Sequence, residues 1–166
     1  MPAPSADEST PLTSPQPTVV PTRWTWDRTW MKVAEAVAQR SICLRDKVGA
    51  VIISTDQRVV GTGYNGQPSG FPEDCVSCPR RLKGGEGLDD FYSDCTSIHA
   101  EANCLLYSDM SRRQGGTLYV TRSPCWGCCK IIANSGIQSV VLPLLSEPDP
   151  KVLAYLATSG LRVRHI

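Results

Sequence analysis

Histidine is scarce in this chain, occurring only at positions 99 and 165 of 166 residues. Imidazole chemistry away from the C-terminal end therefore has one place to happen. Opposite charges nearly cancel, leaving +1 at neutral pH, and no basic stretch is interleaved with aromatic rings, so neither nucleic acid nor a membrane surface is an expected partner. No apolar run is long enough to cross a bilayer, and the N-terminus lacks a basic region followed by an apolar core. The expectation is a cytoplasmic protein that acts on a small molecule. Cysteine, by contrast, is plentiful: eight thiols in a reducing compartment point to metal ligands and buried side chains, not to disulfides.

The histidine at 99 stands in His99-Ala-Glu101, and Pro124-Cys125-Trp-Gly-Cys128 follows downstream. Residues 97–107 have helical apolar spacing with Ser97 as the expected cap, which puts His99 and Glu101 near a first turn. Pro124 suits the first position of a second helix, making Cys125 and Cys128 neighbours on one face. Taken singly, a Cys-x-x-Cys pair is also a redox pair or half of a structural zinc knuckle, and one histidine is an ordinary core residue. The composite is the signature of zinc deaminases, with His99, Cys125 and Cys128 as ligands that leave a fourth position open and Glu101 as the catalytic acid and base. Zinc so held brings the pKa of its water towards about 7, and Glu101 then relays protons to the ring and to the departing amine.

Further blocks narrow the comparison. Ser41-Ile-Cys-Leu-Arg45 with Val48-Gly-Ala-Val51, Gly63-Tyr-Asn-Gly-Gln-Pro-Ser-Gly70, His99-Ala-Glu-Ala-Asn103 and Leu118-Tyr-Val-Thr121 stand in one order across residues 26–145. On these the chain resembles the cytidine deaminase-like superfamily and, within it, the deoxycytidylate (dCMP) deaminases. The resemblance implies a three-layer α/β/α fold around a mixed five-stranded sheet and zinc-dependent hydrolysis of dCMP to dUMP. It also implies a homo-oligomer, a hexamer, with dCTP and dTTP as effectors. The alternatives are a dCTP, CMP or modified-dCMP deaminase on the same site, or a non-catalytic module in which zinc is structural.

Residues 1–22, rich in Pro, Ser and Thr and poor in large apolar side chains, read as a disordered tail ahead of a deaminase domain at 23–166. A helix begins at Trp26-Asp27 with Trp30, Val33, Ala34 and Val37 on its buried face. Residues 48–54 and 59–63 form a hairpin, and strands are expected at 117–121, 139–144 and 161–166, with the cysteine helix and a helix at 150–158 between them. The last strand-helix-strand unit makes a right-handed crossover with parallel strands. Gly61-Thr-Gly63-Tyr-Asn-Gly66 matches a dinucleotide-binding pattern, but Pro68 and Pro72 forbid the helix that would hold pyrophosphate.

The remaining candidates are substrate contacts and a second metal site. By resemblance Asn65 holds the sugar, and Ala100, Tyr119 and Ser123 line the site; Asn65 also reads as a turn residue and Tyr119 as strand core. Arg45, Arg112 and Arg113 are candidate phosphate contacts, because a guanidinium matches two phosphate oxygens, although surface arginines are also simply solvated. Where some relatives carry an arginine late in the helix after the His-x-Glu motif, this chain has Met110. The irregular stretch 71–96 needs something to order it. Cys75, Cys78 and Cys95 with Cys43 make a four-thiolate structural zinc one reading and reduced thiols the other; Cys43 and Cys75 match such a site by resemblance. Cys104 and Cys129 read as buried small apolar residues.

Overall fold

The computed structural model describes residues 22–71, 78–82, 92 and 94–166. The expected tail, Thr22 apart, and Cys75 lie outside them. The first helix, α1 (Trp26–Ala38), starts where the Thr25 side chain accepts a hydrogen bond from the Arg28 N–H at 3.3 Å. Its fully buried stripe is Met31, Ala34 and Ala38, rotated from the expected face. Trp30 sits on the shoulder of that stripe because its ring stacks on Trp26, with centroids 5.3 Å apart, and its N–H donates to Gln57.

The hairpin forms as its sequence suggests: β1 (Gly49–Ile53) pairs antiparallel with β2 (Val59–Tyr64). Next come α2 (Pro79–Leu82), α3 (Ala100–Leu106), α4 (Met110–Arg113), β3 (Thr117–Val120) and α5 (Trp126–Ala133). The chain closes with β4 (Ser139–Leu142), α6 (Pro150–Thr158) and β5 (Arg162–His165). The sheet is five-stranded in the order β2-β1-β3-β4-β5. β1 runs antiparallel to β3, whereas β3, β4 and β5 run parallel, so the sheet is mixed as expected.

Period-two alternation sends neighbouring strand residues into separate cores. Ala50, Ile52, Leu118, Val120, Val140 and Leu142 meet α3, α5 and α6, while Val51, Ile53, Tyr119 and Val141 meet α1. The result is the three-layer α/β/α arrangement. Gly63 explains how α3 lies so near β2: a β-carbon there would stand 2.3 Å from the Ala100 carbonyl oxygen and 2.4 Å from the Cys104 nitrogen. The Gly-x-Gly pair on β2 thus admits a helix backbone, and no helix begins in residues 65–71 behind the strand to hold a dinucleotide.

Two helix starts differ from expectation. α3 begins after His99 instead of Ser97, because Ile98 is held extended by a bridge to Gly66, with N–H to O distances of 2.8 and 3.1 Å. Pro124 precedes the cap of α5 and is not its first residue, since Cys125 takes the cap with its own sulfur.

Candidate active site

The starts of α3 and α5 bring the three zinc-ligand candidates together. His99 caps α3 in extended backbone, and its Nδ1 lies 3.4 Å from both Cys125 Sγ and Cys128 Sγ. Cys125 Sγ also accepts the Cys128 N–H at 3.5 Å, so one sulfur serves both helix and site. Among the described residues, this is the only group of His, Cys, Asp and Glu with three ligand atoms within 4.8 Å of one another. Ligands bound at 2.0–2.3 Å to a tetrahedral zinc stand about 3.5 Å apart, so the set fits zinc with a fourth position open.

Electrostatics point the same way. The Cys125 thiol is held down at about 4, first by a hydrogen bond with Cys128 and then by His99, while His99 is pushed up to about 10, chiefly by its bond to Cys125. A thiolate paired with an imidazolium is a donor set whose protons a metal cation displaces. Glu101 is only 3% exposed, and burial raises its carboxyl to about 7. Its place two residues beyond His99 sets it within the same pocket. The Tyr92 and His99 rings stand nearly perpendicular with centroids 5.0 Å apart, and the Arg80 guanidinium lies 4.1 Å from the Tyr92 ring centre. Arg80 also donates to Asp94 at 2.8 Å.

Of the expected substrate residues, Arg45, Asn65, Ala100 and Ser123 line this pocket. Asn65 fixes the loop ahead of β1: its Oδ1 accepts from the Val48 N–H at 2.8 Å and its Nδ2 donates to the Asp46 carbonyl at 2.9 Å. Ser123 is held by Ser146, whose Oγ accepts from the Ser123 N–H at 2.8 Å and lies 2.8 Å from its hydroxyl.

Three of the expected contacts lie away from this pocket. Tyr119 faces α1, on the side of the sheet away from α3 and α5, and its hydroxyl donates to Asp27 at 2.6 Å. Arg113 donates to the carbonyls of Leu105, Ser108 and Ser135 at 2.9–3.1 Å, closing the end of α3 instead of facing the pocket. Arg112 is exposed on α4 and likewise does not line it. Cys43, Cys78 and Cys95 do line the pocket but do not converge as the His99 set does, and the neighbouring His99 lowers the pKa of the Cys95 thiol. Cys104 and Cys129 are fully buried, as read, and burial raises both thiols.

Sequence reasoning missed Asp46, Arg80, Tyr92 and Arg122, which also line the pocket. The only signal for Arg122 and Asp46 was adjacency to Ser123 and Arg45; Arg80 and Tyr92 sit in an irregular stretch with no periodicity to read.

With this geometry in hand, comparison with known proteins gives a consistent picture. The family described as "Cytidine and deoxycytidylate deaminase zinc-binding region" matches residues 24–144. A deoxycytidylate deaminase of Mycobacterium phage D29 is 52% identical over 122 residues, covering 71% of this chain and 94% of the phage protein. The Saccharomyces cerevisiae deoxycytidylate deaminase is 36% identical over 145 residues, 86% of this chain but 45% of the yeast protein. Among solved structures, the dCMP deaminase of cyanophage S-TIM5 in complex with dCMP and dUMP superposes with a TM-score of 0.66 at 31% identity, over 84% of this chain and 95% of that one.

Proposed function

Since the chain belongs to the family of cytidine and deoxycytidylate deaminases, we propose that it hydrolyses dCMP to dUMP and ammonia in a zinc-dependent reaction. The observation that carries this is the convergence of His99, Cys125 and Cys128 beside a buried Glu101. Zinc, when bound by those three side chains, supplies the Lewis acidity that makes water a nucleophile near neutral pH. Glu101 accepts a proton from the attacking water and passes it to N3 of the cytosine ring, then takes the second proton from the hydroxyl now on C4 and passes it to the amine, which leaves as ammonia as C4 becomes the carbonyl carbon. Ala100 walls the pocket beside it. Asn65 has one amide N–H beyond its bonds to the 46–48 loop and holds the sugar; Arg45, exposed at the rim, meets the phosphate.

This reading assigns the deaminase domain to residues 23–166, supported by β5, which pairs with β4 up to His165. A second, structural zinc on Cys43, Cys75, Cys78 and Cys95 belongs to it, supported by three of these lining one pocket. Two zinc ions per chain by metal analysis are expected, and one would remove the second site. The assembly is a homo-hexamer in the cytoplasm, activated by dCTP and inhibited by dTTP. Its support is the family resemblance, together with exposed Leu106, Tyr107 and Met110, apolar surface of the kind that copies cover.

A panel of dCMP, dCTP, CMP and deoxycytidine with ammonia detection tests the substrate. Turnover of dCMP is expected; turnover of dCTP or CMP with none of dCMP would overturn it. Saturation curves for dCMP with and without dCTP and dTTP test the control: a sigmoid made hyperbolic by dCTP is expected, and a hyperbola indifferent to both would discard it.

A further inference from the structure

Arg122 lies in the link between β3 and α5, three residues ahead of Cys125 and so within about 11 Å of it along the chain. It lines the pocket that holds His99 and Glu101, and also the adjoining groove formed with residues 143–149. It therefore stands where the two open into each other. Its guanidinium pairs with Asp46, on the loop ahead of β1, so an ion pair connects the two loops that flank the mouth.

The backbones on both sides are fixed and the side chains between them are not. Asn65 ties down Asp46 and Val48, and Ser146 ties down Ser123, the residue after Arg122. The paired side chains are 53% and 41% exposed, and an ion pair in water at that exposure is weak and screened by salt. A phosphate dianion offers a guanidinium two parallel hydrogen bonds and a larger charge than a carboxylate does. If C4 of the ring reaches Glu101 and His99 in the interior, the 5′ end of the nucleotide is left at the mouth. Arg45 is exposed at the same rim, whereas the groove beyond carries Glu147 and Asp149, which repel an anion.

From this we propose that Arg122 is a specificity-determining residue that recognises the 5′-phosphate, and that Asp46 occupies its guanidinium until the substrate phosphate displaces it. The proposal rests on the deamination reading above. An uncharged nucleoside has nothing with which to exchange for Asp46, so the pair disfavours nucleosides and admits nucleotides.

The signs of two substitutions separate this role from that of a structural strut. If the pair only braces the loops, Arg122→Gln and Asp46→Asn remove the same bond and do the same harm. If Arg122 receives phosphate, Arg122→Gln raises KM for dCMP ten-fold or more with kcat kept within about three-fold, the pattern of lost uniform binding. Asp46→Asn then leaves KM unchanged or lowers it two- to five-fold. Calorimetric titration with dUMP follows the same residues without turnover, and zinc content with a thermal melt checks that each variant is folded. Ten-fold weaker dUMP binding by Arg122→Gln alone supports the proposal; unchanged binding, or equal loss in both variants, overturns it. Arg122-dependent dUMP binding in a protein that does not deaminate dCMP would support the phosphate role and overturn the deamination reading instead.

Discussion

His99 and Glu101 are two residues apart and answer substitution differently. In the proposed reaction Glu101 moves protons without being a ligand, so Glu101→Ala is expected to keep the zinc of the His99 site while turnover falls by on the order of 10² to 10⁴-fold. His99→Ala is expected to lose both. Zinc content measured beside dCMP turnover checks the pair, and zinc loss in Glu101→Ala would show that the carboxylate is a ligand. These residues were legible in the sequence because their chemistry depends on short spacings that helix geometry converts into convergence. For Tyr119 its place as strand core was legible but its face was not, because alternation along a strand separates two faces without saying which one meets α3 and α5. Arg113 was not either: a guanidinium goes to whatever acceptors the fold presents, here three carbonyls at the ends of helices and loops.

At the scale of elements, the placement of the candidate catalytic residues rests on a glycine. With no side chain at Gly63, the backbone of α3 lies against β2, and a methyl group there has 2.3 Å to the Ala100 oxygen. Gly63→Ala is therefore expected to destabilise the fold by about 1–3 kcal/mol, the range for forcing atoms into a packed contact. Because α3 follows His99 and carries Glu101, turnover should fall by more than in Thr62→Ala, its neighbour with an exposed side chain. Denaturant unfolding and steady-state rates on both variants check this; equal stability in the two would remove the close-approach argument. The identities and order of the strands and main helices were readable from periodicity and turn residues. The helix starts were not, since a bridge from Gly66 to Ile98 and a sulfur cap at Cys125 are tertiary and local bonds that outweigh cap preferences.

For the whole molecule, Asp27 fastens the α1 layer to the sheet. It accepts from Arg164 on β5 at 2.5 and 3.0 Å and from Tyr119 on β3 at 2.6 Å. The Arg164 hydrogen bond, ahead of the Tyr119 bond, holds its carboxyl below the ordinary value despite the opposing effect of burial. A carboxylate depressed in the folded state stabilises fully above its unfolded pKa of about 3.9 and loses that contribution as pH falls through the folded value. Acidification from pH 6 to below that range is thus expected to lower Tm more in the unsubstituted protein than in Asp27→Asn. The difference is small, under about 1 kcal/mol, because Arg164 is 46% and Asp27 28% exposed. Thermal melts across that range check it, and a larger acid loss in Asp27→Asn would reverse the assignment.

The three proposed zinc ligands also come from different halves of the sheet. His99 leads into α3, which packs on the antiparallel pair β1 and β2, whereas Cys125 and Cys128 begin α5, which crosses from β3 to the parallel strand β4. A nascent chain that has not yet released β3 from the ribosome offers zinc one ligand of the three. If these three hold zinc as proposed, metal capture is a late step in biogenesis, and retention of zinc certifies that the antiparallel and parallel halves have been stitched into one sheet.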